Sequence, residues 1–366
     1  MSSQTRELSW KDRYATLRLR LAHTKTELKQ TRDALRVAHQ HDEATRDALA
    51  KARERLHRYE RLLLRPEVLS DLMLVRARHC RETTPDEAAL AREAAHIAAS
   101  EAYQAARTAD APPDADSVQI GGVTWWVPAD NRTQGQLADR VVNRRHLPLA
   151  DILRTREAIS NGIMIDIGAN IGLTSVTRAI LGDVTVVYAA EPAPHNFACL
   201  VRTVLDNGLR GIVLPDRVAI SDRDGTATLQ LSGSIGGHAL RAGAEGVEVP
   251  TMRLDTWIRK MRVNADAIRY VKVDTQGHET HVLEGAPELL ARAGVAWELE
   301  FSPAHLQKTG REPAALVAQM QAVFTHFIDL NPDAPGPRLR PVAELPEALG
   351  YLQRSYTNLL AYKRLA

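Results

Sequence analysis

The chain has 366 residues, 44% hydrophobic and 25% charged, enough for one sizeable core plus an additional module. A net charge of +2 excludes a generic nucleic-acid binder, and two cysteines, Cys80 and Cys199, exclude a disulfide framework. No apolar run approaches the stretch of about 18 residues that spans a membrane, and the polar N-terminus lacks a signal-peptide core, so the expectation is a reduced cytoplasmic setting.

The even charge hides an asymmetry. Residues 1–65 carry 16 Lys and Arg against nine Asp and Glu, leaving 31 against 36 for the rest. This basic segment is heptad-patterned: Tyr14, Leu21, Leu28, Leu35, Leu49, Leu56 and Leu63 share one register, broken only by Asp42. The companion register is thinner, with Leu17, Thr24, Thr31, Ala38, Thr45, Ala52 and Tyr59. The pattern predicts a coiled-coil arm over 1–65, with Leu8 to Leu64 extending roughly 85 Å. A lone helix cannot bury its leucines, so a homo-oligomer through residues 8–64 is expected, with packing on the chain's own body as the rival. The basic charge suits the inner face of an anionic membrane or a glycan-assembly partner, although a solvated coiled-coil face is the commoner explanation for such charge.

Pro66 ends or kinks that helix. A helical connector over 66–110 follows, with apolar residues from Val68 to Ala77 and an alanine-rich helix from a Thr84 cap to Ala109. The stretch 111–117, with Pro112, Pro113 and Asp114, reads as a linker. Val118 to Pro128 alternates around Gly121 and Gly122 and predicts a β-hairpin opening a domain over 118–366. Helices near 134–142 and 150–157 precede the first main strand.

The run from Met164 to Ser175 reads as strand, tight turn and helix, the first unit of a doubly wound α/β nucleotide fold. Its glycines, Gly168 and Gly172, are spaced G-x-x-x-G, unlike the G-x-G-x-x-G that closes on a pyrophosphate, and Asp166 stands two residues before the first. S-adenosyl-L-methionine has no phosphate and ends in a zwitterionic amino acid, so a glycine loop beside a carboxylate favours a methyl-donor site. Val184 to Ala190 predicts the second strand, and Glu191 at its end, 23 residues after Gly168, suits a ribose. Asp166 and Glu191 are both expected at solvent-accessible strand ends.

A third marker runs from Tyr270 to Asp274, continues through Gln276, Gly277, His278 and Glu279, and reaches Ala286. Here the chain resembles the FkbM family of S-adenosylmethionine-dependent methyltransferases. The resemblance rests on an Asp-x-Gly-Ala-Asn-x-Gly loop (Asp166 to Gly172), a Glu-Pro after the next strand (Glu191, Pro192), and the stretch Lys272 to Ala286. It extends over roughly 118–363 and omits the first 110 or so residues. It implies a class I methyltransferase, Rossmann-like, seven-stranded sheet with the last strand antiparallel. The strands would lie near 163–167, 184–190, 212–220, 269–273, 295–301, 323–329 and 356–363, with additional strands and loop over 225–251. It implies donor contacts from Asp166, Gly168, Ala169, Asn170, Gly172, Glu191, Pro192 and Asp274, with Ser221 and Asp222 on the third-strand turn beside adenine. It also implies methyl transfer to a hydroxyl, commonly on a sugar, glycan or polyketide.

A methyl acceptor must be aligned and lose its proton, and candidate bases stand at strand ends: His278, Asp274 and Glu300. Lys272, on a buried-looking strand, needs an acid partner. No His or carboxylate cluster has metal-ligand spacing, so no metal is assigned. The glycine-rich segment 232–239, with Ser234 and His238, is a candidate cover for the site, and the prolines of 332–341 are expected to wrap the surface. The reading is an O-methyltransferase acting on a carbohydrate hydroxyl, with a natural-product methyltransferase and a non-catalytic coiled-coil scaffold as alternatives. Aromatic residues are only 5% of the chain, against a base-stacking RNA enzyme.

Overall fold

A computed structural model of the chain describes residues 86–109, 112, 114–120, 122–129, 162–182, 184–232, 237–240, 245–331, 334, 339–352 and 355–363. The heptad arm, the helices expected over 68–77, 134–142 and 150–157, and Ser234 lie outside the described residues. The described residues within 86–120 and 124–363 belong to one compact unit.

The helix expected to end at Ala109 is two, α1 (Glu87–Ala99) and α2 (Glu101–Thr108). Ser100 leaves helical geometry at φ −135°, ψ 96°, and its hydroxyl accepts from Tyr103 N at 3.2 Å, which ends one helix and caps the next. Asp86 caps α1 in place of the expected Thr84, by accepting from Ala89 N. α2 buries Tyr103 against Phe197 and Val201, and the buried Glu93 of α1 accepts from Arg210 at 2.7 Å. Ser100→Ala is expected to cost about 1 kcal/mol. Urea denaturation with no measurable loss would mean the break has another cause.

β1 (Ala115–Ile120) and β2 (Val123–Pro128) form a hairpin where one was expected, but β1 begins at Ala115, so residues 115–117 of the expected linker belong to the strand. Trp126 anchors it, donating from its backbone to Thr203 Oγ1 at 3.0 Å and from Nε1 to Asp206 Oδ2 at 2.7 Å. Strands and helices then alternate: β3 (Ile163–Ile167), α3 (Leu173–Leu181), β4 (Val186–Ala190), α4 (Pro194–Asp206), β5 (Val213–Asp216). A second group follows with β6 (Ala219–Ser221), β7 (Gly225–Gln230), β8 (Ala239–Leu240), β9 (Val247–Arg253) and α5 (Leu254–Lys260). The third runs β10 (Ile268–Val273), α6 (Glu279–Glu284), α7 (Pro287–Ala291), β11 (Ala296–Phe301), α8 (Pro303–Lys308) and α9 (Pro313–Val323). It closes with β12 (His326–Asp329), β13 (Leu339–Pro341), α10 (Leu345–Ala348) and β14 (Thr357–Tyr362).

The main sheet has the order β13-β12-β14-β11-β10-β3-β4-β5, and β14 runs antiparallel to both its neighbours. Among the described residues it has eight strands, where seven were expected. Leu339 and Arg340 pair with Ile328 and Phe327 and add an edge strand. Pro341, which has no N–H, is tolerated there because the edge needs no further ladder. The strand expected over 212–220 is also two. β5 ends at Asp216, whose carboxylate accepts from Trp257 Nε1 at 2.9 Å and Lys260 Nζ at 3.1 Å. The chain then turns and β6 joins a separate sheet, β6-β9-β7-β8, which takes up the strands expected over 225–251.

β3 and β4 are buried at every position, as parallel strands covered on both faces must be. The chain moves outward from β3 to β4 and β5 on one side, and from β10 to β11 on the other. The C-terminal ends of β3 and β10 therefore flank the crevice where open α/β sheets collect ligands. No helix among the described residues is long and apolar enough to cross a membrane.

Candidate active site

The loop after β3 is shaped by backbone conformations that side chains rarely adopt. Gly168, Asn170 and Gly172 have φ of +80°, +56° and +93°. Asn tolerates this region better than other residues with a Cβ, and Asn170 Oδ1 accepts from Ile171 N at 2.8 Å. A Cβ on Gly168 would lie 1.9 Å from the carbonyl oxygen of Asp274, and one on Gly172 would lie 2.6 Å from Leu200. These glycines thus serve close packing between the ends of β3 and β10 and against α4. The loop amides are engaged within the protein. Gly168 N and Ala169 N donate to Ala190 O at 3.0 and 3.1 Å, and Asn170 N donates to Glu191 Oε2 at 2.8 Å.

Asp166 and Glu191, expected at accessible strand ends, are instead 1% and 5% exposed. Asp166 lies within β3 and Glu191 is covered by the loop it holds. Glu191 Oε1 accepts from Ala193 N at 2.9 Å, just beyond Pro192. Burial pushes the Glu191 carboxyl up to about 7, against the two amides that favour its charge. Asp166 Oδ2 accepts from Ser175 of α3, while its buried Oδ1 has no hydrogen-bond partner among the described residues. Burial raises the Asp166 carboxyl too, with Lys272 opposing.

Parallel register sets a charged row across the sheet: Asp166 on β3 stands beside Lys272 on β10, which stands beside Glu298 on β11. Arg178 of α3 lies 4.5 Å from the Tyr270 ring centroid, and the Tyr270 hydroxyl donates to Glu298. Lys272 Nζ donates to Asp274 Oδ2 at 2.9 Å, supplying the acid partner the sequence demanded. Burial would strip this ammonium of its proton; Asp274, Asp166 and Glu298 more than reverse that and raise it.

Beyond β10 the network continues outward. Gln276, at φ +57°, donates through Nε2 to Asp274 Oδ1 at 2.9 Å and Glu300 Oε2 at 3.1 Å. Glu300 Oε2 also meets His305 Nδ1 at 3.3 Å. Glu279 Oε1 accepts from Thr275 N, Thr275 Oγ1 and Gly277 N and so holds this turn. Burial, then the nearby Asp274, raises the Glu300 carboxyl, and the hydrogen bond to Glu300 raises His305.

His278 stands elsewhere. Its Nε2 lies 2.9 Å from Ser221 Oγ, and its ring stacks on His281 at 3.9 Å between centroids. The Ser221 hydroxyl donates to Asp222 Oδ1 at 2.9 Å, so His278 must present its proton at Nε2. Burial drives the His278 imidazole down to about 3, and an imidazole so weakly basic is a poor proton acceptor. Ser221 and Asp222 belong to β6 and the turn after it, whereas the third strand of the main sheet ends at Asp216. His238 Nδ1 accepts from Ser232 N at 3.0 Å across the neck of the glycine-rich segment.

Sequence reasoning brought Asp166, the glycine loop, Glu191, Lys272, Asp274 and Glu300 to one end of the sheet, where they lie. It missed His305, Gln276 as a bridge, Ser175 and Glu298. A signal existed for Glu298: two acids, Glu298 and Glu300, alternate on one apolar strand, so both face the same side. Among the described residues no three His, Cys, Asp or Glu side chains converge as a metal site.

Residues 166–329 match the methyltransferase FkbM domain. A hexuronic acid methyltransferase, AglP of Haloferax volcanii, is 28% identical over 143 residues, or 38% of this chain and 57% of that protein. The match therefore spans little more than half of that relative's length. Among solved structures, M. jannaschii TYW2 in complex with AdoMet aligns with a TM-score of 0.32 at 11% identity, covering 69% of this chain and 87% of that one. The M. jannaschii tRNA m1G37 methyltransferase aligns with a TM-score of 0.33 at 12% identity, covering 68% and 54%. At scores this low neither likeness bears on substrate or mechanism.

Proposed function

We propose that the chain, whose residues 166–329 match the methyltransferase FkbM domain, moves a methyl group from S-adenosyl-L-methionine to a carbohydrate hydroxyl. The observation that carries the donor assignment is the buried, partnerless Oδ1 of Asp166 at the crevice of the sheet. A buried acceptor left unpaired is costly, and the ammonium of an amino-acid ligand would satisfy it. Asp166, Asp274 and Glu298 act on Lys272, with Arg178 beside Asp166 and Glu298, and three acids against two cations suit a cationic ligand. Each Glu191 oxygen accepts one amide and keeps a second acceptor site, matching the two hydroxyls of a ribose.

When bound, the donor supplies a methyl group already activated by its sulfonium. The protein must hold both reactants in line and receive the acceptor's proton. A carbohydrate acceptor is supported by the hexuronic acid methyltransferase of H. volcanii. Assembly through the heptads of residues 8–64 is part of the same proposal, since joined sites raise effective concentration along a polymeric acceptor.

Calorimetry tests the donor half. Asp166→Asn and Glu191→Gln should each lose about 1.5–3 kcal/mol of S-adenosyl-L-methionine binding. Both side chains are buried, so thermal melts must first show each variant folded. Unchanged affinity in both folded variants would end the donor-site assignment. The acceptor half is read by labelled methyl transfer to oligosaccharides bearing hexuronic acid. An alkali-stable product is an ether on a hydroxyl, whereas an alkali-labile one is an ester and would refute the hydroxyl.

A further inference from the structure

We propose that His305 is the group that takes the acceptor's proton, with Glu300 holding its ring and Gln276 tying the pair to Asp274. The inference rests on the methyl-transfer reading above and deepens it. Glu300 is 7% exposed at its side chain, whereas His305 is 30% exposed, so the carboxylate is an internal anchor and the imidazole opens outward. With Nδ1 donating to Glu300 Oε2 at 3.3 Å, the neutral ring presents the lone pair of Nε2 away from its anchor. A carboxylate holding one ring nitrogen so that the other can accept a proton is a recurrent arrangement for a positioned imidazole base.

Placement favours this residue over the other candidates. His278 is buried with its Nε2 proton directed to Ser221. Asp274 is committed to Lys272 on one oxygen and Gln276 on the other. Asp274 also lies against the donor loop, since its carbonyl oxygen occupies the space a Cβ on Gly168 would need. The dyad is thus two hydrogen bonds from that loop, through Gln276, and α8 starts at Pro303 directly after β11 so that His305 falls at the sheet's C-terminal end. In the step assigned here the acceptor O–H breaks and its proton passes to Nε2. The oxygen pair forms the new bond to the methyl carbon, and the pair of the broken carbon–sulfur bond stays on sulfur as a neutral thioether. The single positive charge moves from sulfonium to imidazolium.

Glu300, Lys308, Glu279 and, through Glu300, Asp274 face this ring, and the Glu300 hydrogen bond dominates in raising its titration. His305 therefore becomes a free base only above the pH at which an ordinary imidazole would. Removing the carboxylate should move that point to lower pH. The first readout needs no turnover: imidazole NMR of the full chain with S-adenosylhomocysteine, assigned by His305→Gln. The His305 resonance should titrate above ordinary histidine, and Glu300→Gln should shift it acidward. The second readout is the pH profile of methyl transfer to the hexuronate oligosaccharides. His305→Gln should lower turnover by roughly 10²–10⁴ while donor affinity stays near wild type. Glu300→Gln should move the rising limb to lower pH, which loss of structural support alone would not do. Wild-type turnover in His305→Gln, or a His305 titration indifferent to Glu300→Gln, overturns the assignment. Failure of the wild type to bind S-adenosyl-L-methionine instead overturns the methyl-transfer reading itself. An ester product overturns the base alone, since a carboxylate acceptor has no proton to lose at neutral pH.

Discussion

Gly168→Ala is expected to destabilise the fold by about 3–4 kcal/mol, whereas Gly294→Ala should cost only about 1–2. Both glycines have positive φ, +80° and +78°, so the left-handed backbone penalty is common to the two. They differ in surroundings. A Cβ at 168 meets the Asp274 carbonyl oxygen at 1.9 Å, while one at 294 meets nothing within 4 Å. The obstacle at 168 is backbone, so relief requires β3 and β10 to move apart at the end that forms the crevice. Urea denaturation of the two variants side by side isolates that extra term. Equal losses would show that the close approach is not energetically enforced.

Lys272→Met should be at least as damaging, at about 3–5 kcal/mol near neutral pH, because it leaves buried carboxylates without their cation. The effect has a predicted pH dependence. Asp166 and Glu298 already have folded carboxyls raised above their ordinary values, burial being the larger cause and Lys272 the chief opposing one. Without the ammonium they rise further. A group with a raised folded pKa binds more protons in the native state than in the unfolded chain between those two values. Its stabilising contribution is then present in acid and lost as pH rises through the folded value. The deficit of the variant should therefore be smallest near pH 4–5, by the ordinary carboxylate range, and grow toward neutrality. A deficit independent of pH between about 5 and 8 would argue that lost packing of the lysine stem, not uncompensated charge, is responsible.

What the sequence determined by itself is local. The apolar runs of β3, β4, β10 and β11, the glycine loop between Asp166 and Gly172, and the acids at strand ends could all be read because each depends on neighbours within a few residues. The broad α/β alternation follows from the same short-range patterns. Tertiary structure decided everything that depends on strands meeting across the chain. Asp166, Lys272 and Glu298 become one row only through parallel register, and no spacing along the chain announces it. Ser221 and His278, expected in different roles, form one hydrogen-bonded pair because β6 leaves the main sheet after Asp216 and runs beside α6. Whether a titratable group is useful was equally hidden. His278 and His305 are the same residue type at neighbouring strand ends. Burial lowers one, a buried carboxylate raises the other, and desolvation and a charged partner both come from residues distant in sequence.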